Sequence, residues 1–260
     1  MKAITLITGA SAGIGAELAR VFAAHGHELV LVARREDRLA ALADEIASGG
    51  QPRPTVMALD LERRDAVSQI AAELTARGLE PANVVNNAGF GLAGGAAALA
   101  RSEQLAMIDL NVRALTELSL AFVDSLAHHR GGILNVASIA AFLPGPGMAV
   151  YYASKAYVLS FTEALHGELS DRGIRVTVLC PGPVATEFQA RAGLGLGSIG
   201  ERTILALPAR RVAEIGYRGF MRGERVVIAG TGNRIAVFFL RITPRALLLS
   251  IIKDRVLGVS

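Results

Sequence analysis

Thr8-Gly9-Ala10-Ser11-Ala12-Gly13-Ile14-Gly15 follows directly on the apolar run Ile4-Thr5-Leu6-Ile7 and opens into an amphipathic stretch over residues 13–25. A short β-branched run, a turn holding three glycines and a helix-period segment read as strand, tight loop and helix. Glycines let the main chain turn sharply and approach a ligand, and the free N–H groups at a helix start attract phosphate. The spacing is GxxxGxG, not GxGxxG, and a glycine turn of this kind also serves plain strand–helix packing.

The alternation continues along the chain. Runs at residues 4–8, 28–33, 55–58, 83–86, 132–137, 175–179 and 225–229 are mostly apolar without alternation, the pattern of parallel strands covered on both faces. Helical periodicity fills residues 13–25, 35–47, 63–77, 102–129 and 152–171 between them. This predicts an α/β fold: one doubly wound parallel sheet, Rossmann-type, of about seven strands with helices on both faces. No repeat or low-complexity linker divides residues 1–260, so a single domain is expected.

Composition narrows the function classes. With 52% hydrophobic and 19% charged residues over 260 positions, the chain can bury a large core. A single cysteine, Cys180, excludes an internal disulfide framework and a Cys-based zinc site, and suits a reducing, cytoplasmic compartment. The five histidines form no HExxH or other ligand spacing, so no metal is expected. Residues 190–260 carry 12 Lys/Arg against 4 Asp/Glu, whereas the first 189 carry 15 against 19. The basic excess is therefore C-terminal. It lacks interleaved aromatics and there is no Trp, which argues against nucleic acid as a partner. The uncharged stretch 131–154 is broken by Asn135 and Pro144-Gly145-Pro146-Gly147 and does not read as a membrane span.

The second strand ends Leu31-Val32-Ala33-Arg34-Arg35. A carboxylate there would hold the ribose hydroxyls of NAD. Two arginines suit a 2′-phosphate instead, so NADP(H) is preferred over NAD(H). The alternative is that Arg34 and Arg35 open a solvated helix, partly neutralised by Glu36-Asp37. Tyr151 and Lys155 are four apart on one helix face, where an ammonium can bring a phenol towards its working range. Ser138 follows the strand at 132–137, at the end where open α/β sheets bind ligands.

Together Thr8 to Gly15, Asp60-Leu61, Asn86-Asn87-Ala88-Gly89, Asn111, Ser138, Tyr151-xxx-Lys155 and Pro181-Gly182 resemble the short-chain dehydrogenase/reductase family, in family order over about 180 residues, with Arg34-Arg35 similar to its NADP-preferring branch. The resemblance implies a dinucleotide-binding catalytic domain. Tyr151 would be the general acid or base and Ser138 would hold the substrate oxygen. Lys155 would bind the nicotinamide ribose and tune Tyr151, and Asn111 would anchor a water in the proton relay. Gly9, Ser11, Gly13, Ile14, Gly15, Arg34, Arg35, Asp60, Leu61, Asn87, Ala88, Gly89, Pro181, Gly182, Val184 and Thr186 would line the cofactor.

Specificity is expected in the loops at 90–95, 139–148 and 188–208. They hold Phe90, Leu92, Phe142, Leu143, Met148, Leu194, Leu196 and Ile199, which suits a hydrophobic ketone, aldehyde or alcohol as small-molecule partner. Residues 188–208 read as a candidate lid. Two other readings share the fold: a non-catalytic NADPH-sensing protein, and an epimerase or dehydratase. A homodimer or homotetramer is expected. The apolar, arginine-punctuated tail at 231–260 is expected to pack on its own domain or a second subunit. Peripheral contact with an anionic membrane is the alternative.

Overall fold

A computed structural model of the protein describes residues 1–193 and 205–249. Seven strands, β1 (Lys2–Thr8), β2 (Leu29–Ala33), β3 (Thr55–Ala58), β4 (Leu79–Asn86), β5 (Gly132–Val136), β6 (Arg175–Cys180) and β7 (Val226–Ile228), form one sheet in the order β3-β2-β1-β4-β5-β6-β7. Every pairing is parallel. The order reverses between β1 and β4, and an open α/β sheet offers its ligand crevice outside the carboxyl ends of the strands at such a point.

The strands carry continuous apolar runs because both faces are covered. Helices α1 (Gly13–Ala24) and α2 (Glu36–Ser48) pack on one face, where Leu18, Phe22, Leu39 and Ile46 meet Ile7, Leu31 and Leu134. Helix α3 (Ala66–Ala76) and the helical pieces after β4 cover the other, where Ile70, Leu74, Met107 and Leu126 meet Ile4, Leu6, Val84 and Ile133.

The stretch 102–129, expected as one helix, is four pieces: α4 (Arg101–Ile108), a π-helical turn (Asp109–Ala114), α5 (Leu115–Ala121) and α6 (Val123–His128). A π turn inserts an extra residue into the helical ladder and re-aims its side chains. Here it turns Asn111 inward, 1% exposed. The break before α6 falls at Phe122, with φ −119° and ψ 18°. Strand β4 also begins four residues earlier than its β-branched run, taking in Pro81 opposite Ile4, with a register shift just after that pair.

Further on come a 3₁₀ turn (Ile139–Phe142), α7 (Ala149–Leu169), a second 3₁₀ turn (Ser170–Arg172) and α8 (Glu187–Arg191). Helices α9 (Ala209–Met221) and α10 (Thr231–Ile242) follow, and periodicity had placed neither; residues 245–249 are helical as well. Helix α9 joins α1 on its face through Val212, Tyr217 and Phe220. Of the candidate lid, residues 194–204 lie outside the described residues, and with them Leu194, Leu196 and Ile199. Within the tail, residues 250–260 do likewise. No described helix is long and apolar enough to cross a membrane.

The turn after β1 is held by close approach. A Cβ on Gly15 would stand 2.3 Å from the Gly9 carbonyl oxygen and 2.4 Å from Asn87 Nδ2, and Gly9 has φ +64°. Gly15→Ala is therefore expected to lower stability by about 1–3 kcal/mol, the scale of overpacking a filled site. The readout is a lower urea midpoint at unchanged slope.

Candidate active site

The carboxyl ends of β1, β4, β5 and β6 bring most of the expected residues to one crevice. Helix α1 starts at Gly13 behind Ala12, whose side chain offers no cap. The first N–H groups of the helix thus have neither intrahelical nor side-chain partners, which makes an anion site. Thr186 lies across from Gly13, 3.2 Å from where a Cβ would stand, so the cleft above the loop is narrow. Asn87 pins the turn after β4 onto this loop: its Nδ2 donates to the Thr8 and Gly9 carbonyls at 3.1 and 3.2 Å. Thr8 Oγ1 accepts the N–H groups of Asn87 and Ala88. Leu61 and Val184 are buried. The Pro181 carbonyl accepts the Ile139 N–H at 2.9 Å, and Gly182 lies against Asn233 of α10.

Arginines gather at the β2–β3 end. Arg34 Nη1 faces Glu62 at 3.4 Å and Asp60 at 3.9 Å. Arg35 donates to Ser11 Oγ at 3.2 Å and to Glu187 at 2.7 Å. Both are half-exposed and already share carboxylates, so the partial neutralisation expected from Glu36-Asp37 comes from Glu62, Asp60 and Glu187. An uncapped helix start and glycine backbone close to its neighbours are what the phosphates of a dinucleotide require, and these residues fit one.

At the other end, the catalytic expectations converge. Tyr151 lies in the first turn of α7, 9% exposed, with Lys155 one turn on at 5%. Lys155 Nζ donates to the Val136 carbonyl at 2.9 Å and stands 6.0 Å from the Tyr151 ring centre. Ser138 caps the Ile139–Phe142 turn, its Oγ accepting the Ala140 N–H at 3.1 Å. Burial pushes the Tyr151 phenol up to about 12, while the nearby Ser138 hydroxyl pulls the other way. Burial also lowers the Lys155 ammonium to about 8. Burial thus dominates the phenol, and the expected lowering by Lys155 is not among the influences on it.

Asn111 spends its amide on positioning. Oδ1 accepts the Phe90 N–H at 3.1 Å, while Nδ2 donates to the Phe90 carbonyl at 2.9 Å and to Ser154 Oγ at 3.1 Å. It clamps the loop after β4 to α7. A Cβ on Gly89 would come within 2.9 Å of Asn111 Oδ1 and 3.4 Å of Lys155 Nζ.

Other side chains join the site; Met148 was expected in a specificity loop, whereas Phe188, Arg191 and Arg113 were not singled out. Phe188 of α8 faces the Tyr151 ring at 5.3 Å, and Met148 joins them around Gly91. Arg191, also on α8, stacks over Phe90 at 4.3 Å and reaches Glu62 at 4.0 Å. Arg113 Nη2 donates to the Glu62 carbonyl at 2.8 Å, fixing the loop that carries Asp60. Phe188 and Arg191 fall at the start of the stretch expected as a lid. Cys180 is a buried neighbour of the site, its thiol pushed up to about 12 by burial, and His166 bonds the Val176 carbonyl as a packing residue. Glu80, His128 and His129 come within 4.8 Å of one another at the amino end of β4, away from the crevice.

A buried ammonium with one carbonyl partner costs stability. The folded state lowers the affinity of Lys155 for its proton, so this cost is complete below about pH 8 and disappears as pH rises towards the ordinary lysine range. Lys155→Met is expected to raise the unfolding free energy of the cofactor-free protein by about 1–3 kcal/mol at pH 7 and by less at pH 10. Urea unfolding at the two pH values checks both the gain and its sign.

The short chain dehydrogenase family profile matches residues 3–195. Sulfoacetaldehyde reductase 2 of Chromohalobacter salexigens is 39% identical over 191 residues, covering 72% of this chain and 75% of that one. Among solved structures, a short-chain dehydrogenase from Sphingobium yanoikuyae in complex with NADPH superposes with a TM-score of 0.80 at 32% identity, covering 98% of this chain and 96% of that one. The bulky-bulky ketone specific alcohol dehydrogenase from Comamonas testosteroni does so with a TM-score of 0.76 at 28% identity, over 96% and 94%. The fold agrees with these likenesses: the protein belongs to the short-chain dehydrogenase family, nicotinamide-dependent oxidoreductases acting between alcohol and carbonyl.

Proposed function

We propose that the protein interconverts an uncharged, hydrophobic ketone or aldehyde and its alcohol with NADP(H), with Tyr151 as proton donor in reduction and acceptor in oxidation. The carrying observation is a separation of chemistry along the crevice. Around Tyr151 stand Phe188, Met148 and Gly91. The cations Arg34 and Arg35 gather at the opposite end with Glu62 and Glu187, and Arg191, stacked over Phe90 between the two ends, reaches Glu62. Among the described residues, the one cation beside Tyr151 is Lys155, held by Val136. A carbonyl with apolar substituents suits that surrounding, whereas an anionic one would lack a counter-ion there.

The nicotinamide supplies the hydride when bound. The Ser138 hydroxyl would hold the substrate oxygen towards the Tyr151 phenol. A phenol with a pKa near 12 keeps its proton through the neutral range and is poised to donate it to an oxygen gaining electrons. Lys155 would bind the ribose and replace lost solvation as the phenolate forms, drawing the phenol down only in the loaded site. Asn111 would keep Phe90 and α7 in register. Phe188, over the Tyr151 ring, would exclude water. The remaining cofactor residues, from Gly9 to Thr186, line the path between the two ends.

The NADPH complex of the Sphingobium yanoikuyae relative supports the cofactor preference, and the bulky-ketone enzyme of Comamonas testosteroni supports the substrate class. The reductase of Chromohalobacter salexigens is named for a short, anionic aldehyde, which makes sulfoacetaldehyde the informative counter-substrate. NADPH oxidation should run faster with aromatic and long aliphatic ketones than with sulfoacetaldehyde. The reverse order would defeat the hydrophobic reading.

Tyr151→Phe keeps the ring packing and removes the transferable proton. Turnover is expected to fall by roughly 10²–10⁴ with cofactor affinity nearly unchanged. Steady-state kinetics alongside NADPH fluorescence titration separates the two quantities. Arg34→Ala is expected to weaken NADPH binding by about 1.5 kcal/mol, the lower end for a charged hydrogen bond because the guanidinium is half-exposed. NADH binding should stay unchanged, and equal losses for both cofactors would remove Arg34 from phosphate recognition.

A further inference from the structure

Helix α10 presents different faces to the domain and to its surroundings. It buries Asn233 and Val237 against the domain. On the side turned away, Ile235, Phe238, Phe239 and Ile242 are 54–63% exposed. Their i, i+3, i+4, i+7 spacing makes one continuous stripe. After Met1, the most exposed large apolar side chains among the described residues all lie between positions 235 and 247. Monomeric soluble proteins rarely leave such a patch uncovered.

Positive charge borders the stripe. Arg234 and Arg241, two turns apart on one flank of α10, line a cleft of about 450 Å³ together with Arg222 and Arg225. One carboxylate, Glu224, lines it too and is already paired with Arg222 at 2.8 Å. Arg225 pairs with Glu163 at 3.1 Å. Among the described residues, neither Arg234 nor Arg241 has a carboxylate partner. A surface both apolar and negative satisfies stripe and flank together.

We propose that the outer face of α10 and its arginine cleft dock the protein on an anionic membrane leaflet. The phenylalanines and isoleucines enter the acyl boundary, and Arg234 and Arg241 reach the headgroup phosphates. The helix lies on the membrane and does not cross it, as its length requires. Helix α10 packs on the Ile139–Phe142 turn directly after Ser138, where Arg241 covers the Phe142 ring at 4.9 Å. Docking therefore places the crevice beside the bilayer, from which an apolar carbonyl can enter. That consequence rests on the proposed substrate class; the docking itself does not.

Co-sedimentation of the full chain with phosphatidylglycerol-containing vesicles and with pure phosphatidylcholine vesicles tests it. Binding is expected to the former, weakened about tenfold or more by high salt or by omission of phosphatidylglycerol. The double substitution Phe238→Ser with Phe239→Ser should weaken it by at least as much, and Arg234→Glu should weaken it as well. Melting temperature and turnover on a water-soluble carbonyl should stay at wild-type values. If a variant melts early, the salt and lipid dependence of the wild type decides alone. Absence of vesicle binding, or equal binding to both vesicle types, overturns the proposal. So does self-association in light scattering that the phenylalanine variant abolishes while vesicles leave the protein in solution, because a second copy then covers the face.

Discussion

The structure depends on how closely the turn after β1 and the turn after β4 approach each other. Gly9, Gly15 and Asn87 meet where a single added carbon would collide with backbone. Thr8 and Asn87 close the contact with four hydrogen bonds. This junction sits at the reversal of strand order, so it sets the width of the crevice and aims the start of α1 into it. Because the contact is made by main chain, its geometry tolerates little change in residue type.

A second device aligns the catalytic helix with that junction. Asn86 Nδ2 donates to Ser119 Oγ at 3.0 Å and to Asn135 Oδ1 at 2.8 Å, and Asn135 Nδ2 donates to Thr162 Oγ1 at 3.0 Å. This buried chain crosses β4, β5, α5 and α7 inside an otherwise apolar layer. Polar groups buried away from water must find partners, so few registers of these elements satisfy the network. With Asn111 tied to Phe90 and Ser154, it leaves α7 little freedom to slide. Tyr151 and Lys155 therefore keep a fixed height above the sheet.

Function draws on what stability gives up. Lys155 is almost wholly buried with a single carbonyl partner, an arrangement that disfavours its charge, and Tyr151 lies in surroundings that disfavour its phenolate. A site whose two titrating groups both resist ionisation is incomplete by itself. A charged or polar ligand sharing such a pocket would shift both groups back towards their ordinary ranges.

The amino-acid sequence alone determined the strand–helix alternation, the parallel sheet and the positions of Gly9 to Gly15, Ser138, Tyr151 and Lys155. Parallel strands must be apolar throughout and a phosphate-binding turn needs glycine, so both leave local marks. Only tertiary structure decided what each polar side chain does. That Arg34 and Arg35 face Glu62, Asp60 and Glu187 depends on three loops distant in sequence. The π turn at 109–114 leaves no local signature, because its widening is stabilised by what Asn111 meets across the crevice. Helix α9 and the two-faced helix α10 also escaped local reading: their arginines interrupt apolar runs, and which side is buried follows from the elements packed against them. Periodicity reports that a face is apolar; the fold decides whether anything covers it.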